Sequence, residues 1–431
     1  MTGRKEIQDY QVEKLNHMLQ AIFSGNQFYR KKLQNHGLTR VGSLSDFRAF
    51  PFTRKTELVQ DQMDNSPYGT DLTYPLGRYI RIHQTSGTTG NPLYWLDTED
   101  SWHWWAESWR TVLESAGAVP EDRIFVAFSF GPFIGFWTAW EGIRLLGALA
   151  ISGGGQSTQQ RLANILSLEA TVVICTPTYA LHMATEATAT GIDLRASKVR
   201  LMVLSGEPGA SIPSTRQHLE SLWGAKCFDH AGATEVGAYG FECGSRRCGI
   251  HINEKEFLAE IIDPETGKDV AEGEKGELVI TNLGRLGSPV IRYKTGDLAQ
   301  PTYAPCPCGR PFVFLEGGIL GRVDDMVVVR GVNVYPSAVE GILREFSEIE
   351  EFRIEVYETH GLSEMKIIIE AKAGAGEVGE LEIKVQDRIR QRLNLRAQVK
   401  GASPGTLPRF ELKAKRFFRH RSKGEGTLSH S

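Results

Sequence analysis

Val12, Leu15, Met18, Leu19 and Ile22 recur at helical spacing. This predicts one or two amphipathic helices over residues 6–35, with a break between Asn26 and Tyr29. A polar, irregular stretch follows to about residue 80, and then the period changes. YIRIH reads as a strand entering a Ser/Thr/Gly loop, and WLDTEDSWHWWAESWRTVLESAG reads as a helix with Ser101 as its N-cap. RIFVAF, ALAIS, TVVICT and VRLMVLSG are short strand signals separated by helical segments such as GFWTAWEGIRLLGAL. That alternation predicts parallel β-α-β units with buried Val/Ile-rich strands. EFLAEIID, GELVITNL and PVIRYKTGDLA are strands with turn residues between them, the pattern of an antiparallel or distorted barrel portion.

The pattern shifts again near residue 320. GRVDDMVVVRGVNVYPSAVE sets a Gly-rich turn, a strand and a helix in quick succession. Residues 350–372 alternate as strands, and 376–394 read as a charged amphipathic helix. A boundary at Asp324 gives domains of 1–323 and 324–431, with the last ten residues polar and expected to be disordered. A chain of 431 residues exceeds what one hydrophobic core supports.

Composition adds exclusions. Apolar content of 41% and charged content of 23% are ordinary for a globular protein. A net charge of −3 gives no global attraction to nucleic acid or anionic membrane. Charges interrupt the N-terminus, and the charge-free run 124–140 is broken by Gly131-Pro132, so neither a signal peptide nor a membrane span is expected. The expectation is a soluble cytoplasmic protein with no nucleic-acid or membrane partner. In a reducing compartment clustered cysteines suggest metal rather than disulfides. Cys243, Cys248, Cys306 and Cys308 lie with His251 in two short stretches, whereas Cys175 and Cys227 sit in apolar surroundings and read as core.

The loop in RIHQTSGTTGNP offers backbone N–H groups and hydroxyls, the ingredients of a phosphate cradle, without the Walker spacing. DHAGATEVGAYG, IRYKTGDLA, GRVDDMVVVRGVNVYPSAVE and LPRFELKAKR follow it in order. Together they resemble the motifs of the adenylate-forming ligases. FYRKKL, FPFTRKTEL, HINEKEFLAEIIDPETG and CPCGR are similar to the phenylacetate–CoA ligase branch in particular, and the resemblance covers residues 7–418.

The resemblance implies an α/β fold of the ANL type. A large N-terminal domain carries mostly parallel sheets flanked by helices and a distorted β-barrel portion, and a small mobile α+β domain follows it. The implied reaction joins a carboxylate to the α-phosphate of ATP, then passes the acyl group to CoA with release of AMP. Thr85, Ser86, Gly87, Thr88, Thr89 and Gly90 would embrace the β- and γ-phosphates. Glu235 would hold Mg²⁺, Thr234 would contact the α-phosphate, and Asp297 would accept from both ribose hydroxyls. Gly206, Glu207 and Pro208 would lie against adenine, Asp229 would reach its edge, and Arg322 would sit near ribose and phosphate. Lys413 would reach the α-phosphate in the first step, Asp324 would be the hinge, and Gly331 would let the pantetheine arm pass. The branch also implies structural Zn²⁺ on Cys243, His251, Cys306 and Cys308, with Cys248 able to replace His251.

The chain departs from the family pattern at two points. Asn91 stands where relatives often carry Lys, and Leu412 stands where they carry Gly before the reactive Lys, which leaves Lys415 as an alternative to Lys413. The tryptophans of 95–109 have the spacing of packing residues. The acid pocket is expected among residues 130–136, Thr178, Tyr179 and the surroundings of His230 and Ala231. The substrate implied is an aromatic or arylacetic-type acid, and the relatives imply a homodimer. The same motifs also serve enzymes that hand the acyl or AMP group to a carrier protein, an amine or a cofactor. Asn91 and Leu412 leave room for a nucleotide-binding protein that has lost catalysis.

Overall fold

The chain begins with the helix Arg4–Gly25, which buries Ile7, Leu15, Met18, Leu19 and Ile22 along one stripe. Asn26 ends it and caps the next helix, Gln27–Leu33, by accepting from the Tyr29 N–H at 3.0 Å. In this computed structural model the described residues are 3–37, 39–85, 92–132, 134–325, 327–329, 332–359, 362–372, 374–410 and 415–420. The stretch expected to be irregular contains a helix, Lys55–Asp64, started by Glu57 accepting from the Arg54 N–H at 2.7 Å. It buries only Leu58, so it carries no apolar stripe for a periodicity reading to find.

The tryptophan helix runs Glu99–Ala116, and its N-cap is Thr98 rather than Ser101. The Thr98 hydroxyl accepts from the Ser101 N–H at 3.2 Å, so the helix starts one turn earlier than expected. Trp102, Trp104, Trp105 and Trp109 are all buried in the core beneath it.

Nine strands form the main sheet. In spatial order they are Pro301–Thr302, Phe314–Glu316, Arg246–Ile252, Gly237–Cys243, Lys226–Ala233, Leu201–Ser205, Val172–Cys175, Arg123–Val126 and Leu149–Ser152. From Lys226–Ala233 to Leu149–Ser152 every pairing is parallel. From Lys226–Ala233 to Pro301–Thr302 every pairing is antiparallel. The chain leaves Arg123–Val126 for the outer strand Leu149–Ser152, then returns to Val172–Cys175 on the other side. That reversal is a switch point, and open α/β sheets bind ligands off the carboxyl ends of the strands there. A second sheet pairs Phe257–Ile262, Gly276–Asn282 and Tyr293–Ala299 antiparallel, as the turn-rich strand signals predict.

The chain divides into two compact units, Met1–Leu320 and Gly321–Ser431. The second unit is α+β. Its strands Ile349–Thr359 and Leu362–Ala371 pair antiparallel, with Phe417–His420 and Gln398–Ala402 added in parallel on their outer edges. The helix Val378–Leu393 buries Leu381, Val385 and Ile389. The terminal segment expected to be disordered lies outside the described residues. Among the described residues no helix is long and apolar enough to cross a membrane.

Candidate functional site

The strands Tyr79–Gln84 and Tyr94–Thr98 form the hairpin that carries the Ser/Thr/Gly loop. At its neck the Thr85 N–H donates to the Leu93 carbonyl at 3.0 Å, and the Thr85 hydroxyl accepts from the Leu93 N–H at 2.9 Å. Ser86, Gly87, Thr88, Thr89, Gly90 and Asn91 lie outside the described residues.

Parallel pairing sets Leu204 opposite Asp229 and Ser205 opposite His230. Gly206, Glu207 and Pro208 therefore leave the sheet at the same end as Asp229 and His230. Gly206 sits at φ 94°, a left-handed conformation that favours glycine. The Glu207 carboxylate accepts from the Thr178 N–H at 2.8 Å and so fastens this turn to the start of the helix Pro177–Ala189. Asp229 is buried and accepts from the Ser211 hydroxyl. Burial pushes its carboxyl up to about 6. Gly318, at φ 68°, passes so close that a Cβ there would meet Ser211 Oγ at 2.8 Å and Asp229 Oδ2 at 2.9 Å.

Glu235 occupies the turn after this strand and is buried. Lys55 Nζ lies 3.0 Å from its Oε1, and the Tyr293 hydroxyl donates to the same oxygen at 3.4 Å. The Thr234 carbonyl accepts from Arg285 at 2.7 Å. Asp297 is half-buried, and its N–H donates to the Thr295 hydroxyl at 3.0 Å.

His230 is buried, its Nδ1 lies 2.7 Å from the Gly240 carbonyl, and the Trp109 ring centroid is 4.3 Å away. Burial lowers its imidazole to about 4, so it is neutral at pH 7. Past the carboxyl end of Arg123–Val126, Phe128 stacks on Phe136, and Phe130 lies 4.8 Å from Trp137 and 5.6 Å from Trp140. Tyr179, expected in the acid pocket, is instead a core residue. It is fully buried, its hydroxyl is 3.1 Å from that of Thr158, and Arg161 lies over its ring.

In the second unit Arg322 and Asp324 are exposed, and the Asp324 carbonyl accepts from Arg419 at 3.3 Å. Lys415 lies 5.5 Å from the Phe418 ring. Gly331, Leu412 and Lys413 lie outside the described residues.

Cys243, His251, Cys306 and Cys308 converge, with one ligand atom from each lying within 4.8 Å of the others. Cys243 Sγ is 3.6 Å from Cys306 Sγ and 3.6 Å from His251 Nε2, which is 3.7 Å from Cys308 Sγ. Zinc bond lengths in a tetrahedron give edges of about 3.8 Å between sulfurs and about 3.5 Å from sulfur to nitrogen. These three separations are close to such edges, so the donor set suits that ion, and the Cys243 and Cys306 sulfurs at 3.6 Å are too far apart to be bonded as a disulfide. Cys248 is not in the cluster. It sits at φ 62°, and its N–H donates to Glu242 at 2.9 Å.

Sequence reasoning did not single out Lys55, Tyr293, Ser211, Gly318 or Arg285. Lys55 lies inside FPFTRKTEL and Gly318 inside a Gly-Gly pair, and both were signals available to it.

Residues 66–284 match the family model of the AMP-binding enzymes, and residues 331–421 match that of the AMP-binding enzyme C-terminal domain. A phenylacetate-coenzyme A ligase of Thermus thermophilus is 32% identical over 430 residues, 95% of each chain. One of Escherichia coli is 31% identical, over 96% of this chain and 94% of its own. A crystal structure of a 2-hydroxyisobutyryl-CoA ligase, in the postadenylation state with an acyl-AMP, superposes with a TM-score of 0.92 at 28% identity. That match covers 97% of this chain and 90% of the other. The chain belongs to the phenylacetate–CoA ligase branch of the AMP-binding enzymes, the AMP-forming acid–thiol ligases that work through an acyl-adenylate.

Proposed function

We propose that this chain activates an aromatic or arylacetic-type carboxylic acid with ATP and transfers the acyl group to the thiol of coenzyme A. The observation that carries the substrate class is the partly buried aromatic cluster of Phe130, Phe136 and Trp140 at the switch point of the sheet. Aromatic side chains there, with the neutral His230 against Trp109, suit a flat apolar acid.

A substrate carboxylate oxygen attacks the α-phosphorus, and the bond to the pyrophosphate oxygen breaks. The CoA sulfur then attacks the acyl carbon, the thiol proton leaves, and the bond to AMP breaks. Both steps gather negative charge on oxygens, so the chain's task is to position the reactants and stabilise that charge. Asp229 and the Gly206–Pro208 turn would frame adenine, and Asp297 would accept from the ribose hydroxyls. Thr234 would contact the α-phosphate. Glu235 would hold Mg²⁺, whose part is to neutralise phosphate oxygens during the displacement. Lys413 would reach the α-phosphate in the first step and depart before the second, with Asp324 as the hinge. Arg322 would sit near ribose and phosphate, and Gly331 would give room to the pantetheine arm.

Cys243, His251, Cys306 and Cys308 would hold a structural Zn²⁺, since four protein ligands close the tetrahedron and leave no position for substrate. Replacing Cys308→Ser should lower bound zinc and the melting temperature, with little change in rate at low temperature. A natively purified wild type that carries no metal would remove this assignment.

The decisive experiment measures ATP–pyrophosphate exchange across aryl, arylacetic, fatty and small hydroxy acids, and AMP release with and without CoA. Exchange greatest with aryl or arylacetic acids, and AMP release that needs CoA, is the expected result. Preference for a small hydroxy acid would overturn the substrate class, and AMP release indifferent to CoA would overturn the acceptor. Lys413→Ala should abolish most exchange yet spare thioester formation from supplied acyl-adenylate; equal loss of both would shift the role elsewhere.

A further inference from the structure

Arg285 is wholly buried, as is its partner Asp97. Its Nε and Nη2 donate to the two Asp97 oxygens at 2.8 and 2.7 Å, a two-pronged contact that uses one edge of the guanidinium. Its Nη1 donates instead to two successive backbone carbonyls, Thr234 at 2.7 Å and Glu235 at 3.3 Å. Asn282, three residues earlier, donates to the next carbonyl, Val236, at 3.1 Å. The rings of Trp95 and Trp105 lie 5.1 Å from the guanidinium carbon. Asp97 belongs to the strand Tyr94–Thr98, which leads out of the Ser/Thr/Gly loop. One buried cation therefore ties the phosphate-loop hairpin to the turn that carries Thr234 and Glu235.

We propose that Arg285, oriented by Asp97, is a positioning residue for adenylation, fixing the spacing between the strand Tyr94–Thr98 and the Thr234–Glu235 turn. This rests on the proposed adenylation chemistry, in which that turn and the loop ahead of the strand grip the same nucleotide. The third nitrogen reaches the backbone carbonyls of Thr234 and Glu235 themselves, so its hold falls on the two residues proposed to contact the α-phosphate and hold the cation. Lysine has the charge but not the planar fork, so it cannot hold Asp97 at two points and the turn at a third. The hold matters because a misplacement of about 1 Å can cost on the order of 100-fold in rate.

The test compares wild type, Arg285→Lys and Asp97→Asn in ATP–pyrophosphate exchange at varied Mg²⁺, and in thioester formation from supplied acyl-adenylate, alongside melting curves. Arg285→Lys should lower exchange by on the order of 100-fold. It should also raise the Mg²⁺ needed for half-maximal rate and leave the thioester step within a few-fold. Asp97→Asn should move the same quantities in the same direction by less. Arg285→Ala should regain part of the exchange with millimolar guanidinium. If both half-reactions fall together, in step with the folded fraction, the proposal is overturned. Exchange unchanged in a folded Arg285→Lys or Asp97→Asn protein overturns it too, and leaves the adenylation reading intact. A wild type that exchanges with no acid overturns both.

Discussion

In the parallel half of the main sheet, Val172–Cys175 is buried at every position and carries no ionisable side chain but Cys175. Leu201–Ser205 is apolar up to its last residue. The groups with proposed chemistry in this half lie past the strand ends, at Gly206 to Pro208 and in the aromatic cluster. In the antiparallel half, Gly237–Cys243 is also buried along its whole length, yet Glu242 stands inside it. Glu242 accepts from Arg216 at 2.8 and 2.7 Å, from Arg247 at 3.2 Å, and from the N–H groups of Asp229 and Cys248 at 2.8 and 2.9 Å. A parallel strand covered on both faces has no water to solvate a charge, so polar work is pushed to its end. The antiparallel half keeps Glu242 inside by pairing it with two guanidinium groups and two backbone N–H groups. Substitution should therefore slow the chemistry in the first case and unfold the protein in the second.

The largest effect expected of that difference is on stability. Glu242→Ala leaves the buried Arg216 guanidinium without its partner and frees two backbone N–H groups. Breaking such a pair costs about 3–5 kcal/mol, read by urea denaturation as a lower midpoint at unchanged slope. A loss under about 1 kcal/mol, the range of an exposed pair, would show that the antiparallel half tolerates unpaired charge and erase the contrast.

Glu235→Gln tests a carboxylate placed past a strand end instead of inside a strand, since Glu235 lies in the turn that follows Lys226–Ala233. Its Lys55 partner is one-third exposed, with side-chain accessibility of 34%, so the pair itself contributes little to stability. Losing the proposed cation-holding carboxylate should lower pyrophosphate exchange by about 100- to 1000-fold, or about 3–4 kcal/mol of barrier. The melting temperature should barely move. A large drop in melting temperature with modest loss of rate would put Glu235 in the same class as Glu242.

The contrast also governs what could be read beforehand. The parallel strands were legible because their apolar runs are short and continuous, and a turn motif such as SGEPG sits where the chain leaves a strand, whereas TGD, which reads as a turn, lies inside the strand Tyr293–Ala299 with Gly296 at φ 72°. The helix Lys55–Asp64 was not, because a single buried residue, Leu58, gives no period. The cysteine cluster was legible as a set, since Cys306-Pro307-Cys308 is a local signal. The preference for His251 over Cys248 depends on the strand Arg246–Ile252, which turns Cys248 toward Glu242. Arg285 and Asp97 are 188 residues apart, and nothing local to either marks the pair. Contacts of that kind arise from sheet order and side-chain reach, which a pattern of spacing does not encode.

The strand Lys226–Ala233 belongs to both halves, and its pH response gives the smallest effect. His230 has a folded value near 4 against about 6.5 unfolded, because burial disfavours the cation. Between those values the unfolded chain binds a proton that the folded one does not, so stability falls as pH drops from about 6.5 toward 4. Asp229 works the opposite way. Its folded value of about 6 lies above the ordinary carboxylate value, so its contribution is present at low pH and lost as pH rises through 6. The two neighbours partly cancel, which flattens the wild-type profile. His230→Gln removes one term while the amide still donates to the Gly240 carbonyl. The variant should match wild type at pH 7.5 and gain up to about 2 kcal/mol over it at pH 5, measured by urea denaturation at each pH. An equal shift at both pH values would mean that packing against Trp109, and not the proton, governs this position.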